Sequence, residues 1–198
     1  MPACSETIQK YFDELQAKTN TIYEIATKAR AKGHDPERVV DIPLASTVAQ
    51  RVEALISSMA PQLRGSGVAH RIEDLEKKHG PGDWRVALVV SREVAQEKFC
   101  KFKDVREAIE VGIRVGFAYV TLGVVSAPLE GLVEIKLKKR KDGKDYLAMY
   151  FEGPARGAGG TALAVSIIIA DYVRRVFPVY DYDITDEEVK RYIVEIDD

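Results

Sequence analysis

The apolar positions of this chain change period several times, and each change marks a predicted element. From residue 5 to 32 they follow a helix: Ile8, Leu15, Ile22 and Ala29 recur every seven residues, with Tyr11, Phe12, Ile25 and Ala26 beside them. Gly33, with Pro36 just beyond, is the stop signal. So narrow a stripe cannot bury itself, and the helix must pack against its own domain or against a partner chain. HDPERVVDIPLAS reads as a proline-marked connection, Ser46 as the N-cap of a helix over 47–59, and APQLRGSG as a second linker. Short helices are predicted over about 68–78 and 85–98, divided by HGPGD, with Trp84 a core anchor beside that turn.

The second half is more apolar. Residues 104–123 open with Asp104 and Glu107 at capping-box spacing, then become apolar nearly all round. Gly112 and Gly116, four apart, leave one face of this helix bare for close packing. Val133, Ile135 and Leu137 then alternate with Glu134, Lys136 and Lys138, the period of a half-buried strand. Asp142-Gly143 supplies a tight turn, and Tyr146 to Phe151 return as the second arm of a β-hairpin. FEGPARGAGG follows, and then a helix over 161–177 whose first half has no polar face and should be buried on all sides. Arg174 and Arg175 suit its C-terminal end, Pro178 ends it, and Thr185 with Glu188 caps a last short helix.

Composition narrows the class. At 198 residues, 46% hydrophobic and 30% charged, the chain is an ordinary globular protein. Its net charge of −2 is uneven: residues 131–175 hold nine Lys/Arg against five Asp/Glu, and 176–198 hold two against eight. An anion-binding surface therefore belongs in the first stretch. Cys4, Cys100, His34, His70 and His79 lack metal-ligand spacing, so a reduced protein without a metal site is expected. The N-terminus does not read as a signal peptide, and the longest uncharged run, Val115 to Leu129, is too short to span a membrane. A cytoplasmic chain is expected.

Two features could carry chemistry. The hairpin tip collects Lys138, Lys139, Arg140, Lys141 and Lys144, which is either a solvated turn or a phosphate-contacting patch. In the glycine segment, Gly153-Pro154 turns the chain, Gly159-Gly160 permits close backbone approach, and Thr161 starts a helix with Arg156 nearby. That is an anion site or a structural turn. A Walker A loop is excluded because no lysine is present. Gly157, Gly159 and Ala162 fit a dinucleotide pattern, so a small nucleotide-binding domain over 157–162 is the alternative reading, although the preceding strand is a hairpin arm.

GPARGAGGTALAVSIIIADYVRR resembles the GP-x-R-x-(A/S)-GGT segment and following alanine-rich helix of the large subunit of the archaeal D-family DNA polymerase. EIATKARAKGHDP, DIPLASTVAQRVEALI, GVAHRIEDLEKKHG and TLGVVSAPLEGLVEIKLKKRKDGKDYLAMYF resemble that subunit's N-terminal region in the same order. Residues 79–107 are the least similar. The resemblance implies a part in replicative DNA synthesis beside a small subunit with a 3′–5′ proofreading nuclease, on DNA, with magnesium serving the complete polymerase. It also implies that the catalytic aspartates, in an Asp-Gly-Asp type motif, lie downstream, so the chain is an N-terminal fragment or a separately encoded piece. No Asp-Gly-Asp occurs here, and Asp181 and Asp183 match no catalytic motif.

The expected fold is helix-rich α+β: an N-terminal helix over 1–33, a linker over 34–45, a helical region over 46–102, and over 103–198 a hairpin packed with two buried helices. Its expected function is accessory, without catalytic residues, cofactor or metal of its own. The nucleic-acid candidates are Lys138, Lys139, Arg140, Lys141, Lys144 and Arg156. Gly153, Pro154, Gly159, Gly160 and Thr161 form the structural glycine segment.

Overall fold

The computed structural model describes residues 5–34, 45–123, 126–153 and 160–197. The chain divides into two compact units, residues 1–41 and 42–198. The first contains α1, Glu6–Ala31. Ser5 caps it by accepting from the Ile8 amide at 3.4 Å, and Gly33 leaves it at φ 74°. None of its residues is buried, and Ile8, Leu15, Ile22 and Ile25 are all exposed.

The second unit is the predicted α+β body. Its helices are α2 (Val48–Ile56), α3 (Val68–His79), α4 (Trp84–Ala95), α5 (Val105–Val120), α6 (Gly160–Arg174) and α7 (Asp186–Asp197); its strands are β1 (Leu132–Lys139), β2 (Asp145–Phe151) and β3 (Val179–Tyr180). The sheet order is β1-β2-β3, with β1 antiparallel to β2 and β3 parallel to it. Sequence reasoning missed β3, because two residues carry no readable period.

Two apolar clusters share α5. Val111, Val115, Ala118 and Tyr119 join the helical cluster with Val52, Leu55, Ile72 and Val90. Ile109, Ile113 and Phe117, on its other side, join Leu132, Ile135, Val165 and Ile169. The third side is the glycine face, and α4 occupies it. A Cβ on Gly112 would lie 2.5 Å from the Ser91 carbonyl oxygen, and one on Gly116 would lie 1.9 Å from Ser91 Oγ.

Arg114 projects from α5 into the space between that helix and the start of the sheet, and it is only 1% exposed. Its Nη1 donates to the carbonyls of Pro128 (2.5 Å) and Leu132 (2.6 Å), and its Nη2 to that of Val133 (2.8 Å). Glu110, one turn earlier, accepts from Nη2 at 2.7 Å and is itself held by Arg106 at 2.6 Å. Tyr119, near the end of α5, donates to Glu76 at 2.8 Å and accepts from the Gly82 amide at 2.9 Å. Burial, with the neighbouring Glu76 carboxylate, pushes its phenol up to about 12, so it remains a donor at neutral pH.

Several expectations are corrected. Thr47, not Ser46, caps α2, accepting from the Gln50 amide at 3.1 Å while Gln50 accepts from the Ser46 amide at 2.9 Å, a reciprocal box one residue later. APQLRGSG is a packed turn and not a linker: Ala60 and Leu63 are buried, and Glu53 accepts from the amides of Gly65 and Ala69, both at 2.8 Å. Trp84 is no core anchor; it stands at the first position of α4, 48% exposed, where Asp83 caps the helix. The helix after the glycine segment is buried on one side only, with Ile167 53% and Ile168 49% exposed. An apolar sequence cannot distinguish a core helix from one whose second face meets another surface. Pro36, and the connection over 35–44, lie outside the described residues.

Two predictions follow from α5. Gly112→Ala forces α4 away because it meets backbone, and should cost about 1–3 kcal/mol. Gly116→Ala clashes chiefly with a hydroxyl that has no hydrogen-bond partner among the described residues. Ser91→Ala should therefore restore much of the stability lost by Gly116→Ala and little of that lost by Gly112→Ala, read by denaturant titration of the double variants. Arg114→Met strands three carbonyls and leaves the half-buried Glu110 to Arg106 alone, and should cost about 3–5 kcal/mol. A calorimetric scan should show Tm falling by roughly 6–20 °C, and Arg114→Lys should recover little because an ammonium cannot reproduce the planar fork.

Candidate nucleic-acid interface

The hairpin places the basic tip. β1 and β2 pair from Leu132↔Phe151 to Lys139↔Asp145, so the connection is Arg140–Lys144, longer than the tight turn that Asp142-Gly143 suggested. Arg140 and Lys144 close it, the Arg140 amide donating to the Lys144 carbonyl at 2.8 Å. Gly143 takes φ 82°, a conformation that favours glycine, and Asp142 accepts from the Lys144 amide at 3.1 Å. That amide holds the Asp142 carboxyl below its usual range, assisted by Arg140 and Lys144.

The tip brings Lys138, Lys139, Arg140, Lys141 and Lys144 together, but beside acids. Lys139 pairs with Asp145 at 2.8 Å, and Arg140 and Lys144 approach Asp142 at 3.3 and 3.5 Å. The connection after β3 crosses the tip: Arg140 Nη1 donates to the Asp181 carbonyl at 2.6 Å, and Asp183 accepts from the Lys141 amide at 2.9 Å. Asp181 and Asp171 also bind Arg174. Asp181 and Asp183, which could be mistaken for a metal pair, thus hold the chain in place. No group of three or more His, Cys, Asp or Glu that could hold a metal occurs among the described residues.

Of the glycine segment, Gly153 is described at φ 60°, and Gly160 opens α6 with open space where a Cβ would stand. Thr161 is exposed. Pro154, Arg156, Gly157 and Gly159 lie outside the described residues. β2, α6 and β3 make a parallel crossover, but β3 meets only Asp145 and Tyr146, and the three described strands have no point at which strand order reverses. The dinucleotide reading gains no support from such a sheet.

Sequence reasoning missed the face of the sheet turned away from the core. Leu132, Ile135, Leu147 and Met149 point inward to the second cluster. The alternate positions carry Lys136 opposite Ala148, Lys138 opposite Tyr146, and Glu134 opposite Tyr150. Lys136 and Lys138 lie 4.9 and 5.2 Å from the Tyr150 ring centre, and Lys144 lies 4.8 Å from that of Tyr180. The rings of Tyr146 and Tyr182 are 4.9 Å apart. A hydrogen bond to Glu188 pushes the Tyr182 phenol up to about 12. The signal was present in the sequence: Tyr146, Ala148 and Tyr150 share a period-2 face with Lys136 and Lys138.

Residues 10–198 match the family described as DNA polymerase II large subunit DP2, N-terminal. The chain belongs to that family. It is 50% identical over 187 residues to the DNA polymerase II large subunit of Nanoarchaeum equitans, covering 94% of this chain and 15% of that protein. It is 43% identical over 192 residues to that of Methanosarcina barkeri (97% and 16%), and 39% identical over 195 residues to that of Thermococcus kodakarensis (98% and 10%). The chain thus spans 10–16% of the length of these relatives. The basic hairpin, the glycine segment and the tyrosine-bearing sheet face all lie inside the matched region. Among the described residues no helix is long and apolar enough to cross a membrane.

Proposed function

We propose that this region is the accessory, non-catalytic assembly region of a replicative DNA-directed DNA polymerase large subunit. In the complete enzyme it works in the cytoplasm with the remainder of that subunit and with a small subunit carrying the 3′–5′ proofreading nuclease. The observation that carries the reading is a set of exposed apolar side chains at helical spacing. Ile8, Leu15 and Ile22 stand along α1, Ile167 and Ile168 on α6, and Val189, Tyr192 and Ile193 on α7. Such faces are characteristic of interaction sites. Magnesium-dependent phosphoryl transfer needs clustered carboxylates, and Asp181 and Asp183 are engaged with Arg174 and the Lys141 amide. The chemistry belongs to the rest of the large subunit.

In a reconstituted two-subunit polymerase, Ile8→Ser, Leu15→Ser and Ile22→Ser together should weaken assembly about a hundredfold or more if those side chains become buried. Analytical ultracentrifugation of the complex measures this. Assembly at wild-type affinity would remove α1 from the contact surface.

The second part of the proposal is that the hairpin tip and Arg156 lie against DNA phosphates. With about three cations on phosphate, the slope of log affinity against log salt on duplex should be near −3. Lys139→Gln with Lys141→Gln should flatten it by about 2 while sparing Arg140, whose bond to the Asp181 carbonyl holds the tip. Asp142→Asn with Asp145→Asn removes the competing carboxylates and should strengthen binding. Fluorescence anisotropy across a salt series reads both changes, and an unaltered slope in both variants would leave the cluster a solubility feature.

A further inference from the structure

We infer that the solvent-facing side of the sheet binds single-stranded nucleic acid, with bases stacked on Tyr150 and on the Tyr146–Tyr182 pair and phosphates held by Lys136 and Lys138. The inference rests on the proposed contact with DNA, but it concerns a different surface and a different mode of binding from the hairpin tip.

Three observations converge. First, the pleat places Tyr146 and Tyr150 on one face of β2, four residues apart and so about 14 Å along the strand. On β2 only the small Ala148 stands between them on that face. Second, β1 places Lys138 opposite Tyr146 and Lys136 opposite Ala148, between the two ring positions. Both ammonium groups lie about 5 Å from the Tyr150 ring, within reach of a phosphate attached to a base stacked there. Third, Tyr182 reaches the same face from the connection after β3, remains 49% exposed, and is fixed at its hydroxyl by Glu188. A ring anchored at its edge keeps a defined orientation, and that lowers the entropy lost on stacking.

The competing use of these rings is the intramolecular cation–π contact. An exposed contact of that kind contributes about two- to fivefold in an equilibrium, whereas a base–aromatic stack contributes about five- to 150-fold. A base therefore displaces lysine from the ring face, and the displaced ammonium moves to the phosphate. Glu134, which pairs with Lys136 at 2.6 Å, and Glu188 keep the face from being strongly cationic. Stacking, not charge, must dominate. That favours an unpaired strand, because a duplex keeps its base faces inside the helix.

The test uses the 198-residue chain and a thymidine oligomer carrying 5-iododeoxyuridine, irradiated and mapped by peptide mass spectrometry. Crosslinks are expected on Tyr150, Tyr146 or Tyr182. Tyr150→Leu should lower single-strand affinity about tenfold or more with little change of salt slope, and Tyr150→Phe should retain it. Lys136→Gln should reduce the slope by about 0.7. Crosslinks confined to other segments, or single-strand affinity indifferent to Tyr150→Leu in a variant with native circular dichroism, would overturn the proposal. The crosslink map is read on the unsubstituted chain, so it decides even if a variant misfolds. The two readings remain separable: loss of the sheet-face signal with a duplex slope still sensitive to Lys139→Gln and Lys141→Gln overturns only this inference. Loss of both overturns contact with DNA by either surface.

Discussion

The buried guanidinium of Arg114 is the constraint on which the body of this protein depends. α5 contributes a full side to each of the two apolar clusters, and Arg114 is where that helix grips the chain entering the sheet. Three carbonyls from residues 128, 132 and 133 converge on one side chain. They belong to a short π-helical turn, Ser126–Gly131, and to the irregular start of β1, where the register shifts between Leu132 and Glu134. Backbone groups in such a segment lack regular ladder partners, and burying them without donors would be costly. Arginine supplies a planar fork of donors, and Glu110 balances its charge one turn away. The direction in which the hairpin leaves the core, and so the placement of the tip and the tyrosine face, follows from this junction.

The opposite side of α5 solves another problem. Two clusters can share one helix only if its remaining face admits a neighbour closely, and Gly112 and Gly116 let α4 approach until backbone meets backbone. The glycines lower intrinsic helix stability, at about 1 kcal/mol each relative to alanine, so this geometry is favourable only because α4 packs there. The glycine face and the arginine grip are interdependent: one sets the distance from α5 to the helical cluster, the other its distance from the sheet.

Sequence periodicity located α1 to α6 and both long strands because each repeats its apolar positions at a definite interval, and the capping box at Thr185 located α7; the repeat does not say whether the face is covered, and that of α1 is exposed. The glycine pair was legible for the same reason, since two missing side chains four apart have few uses. Arg114 was not. One arginine at the border of an apolar run reads as a boundary charge, and its carbonyl acceptors are 14 to 19 residues away, contributed by a segment with no period. The basic tip was legible as composition but not as electrostatics. Asp142 and Asp145 are near in sequence, but Asp181 and Asp183 arrive from about 40 residues on, brought by a two-residue strand that leaves no pattern. The exposed side of α6 was misjudged because apolarity measures the wish to be covered, not which molecule does the covering.

That acidic connection shapes what either candidate surface can do. A cation already paired with a carboxylate must leave it to meet a phosphate, so part of the electrostatic gain is offset and the isolated contact is weak. A stacked base faces a similar exchange with the lysines over Tyr150. Neither surface is built for tight binding alone. In the assembly proposed above this is an advantage, because a weak contact tethered beside other DNA contacts adds to the whole through effective concentration. Such a contact would also release in step with a moving strand. Strong, unpaired cations on the same hairpin would hold DNA in one register, whereas acid-buffered lysines and stacking rings, which accept any base, would permit it to slide.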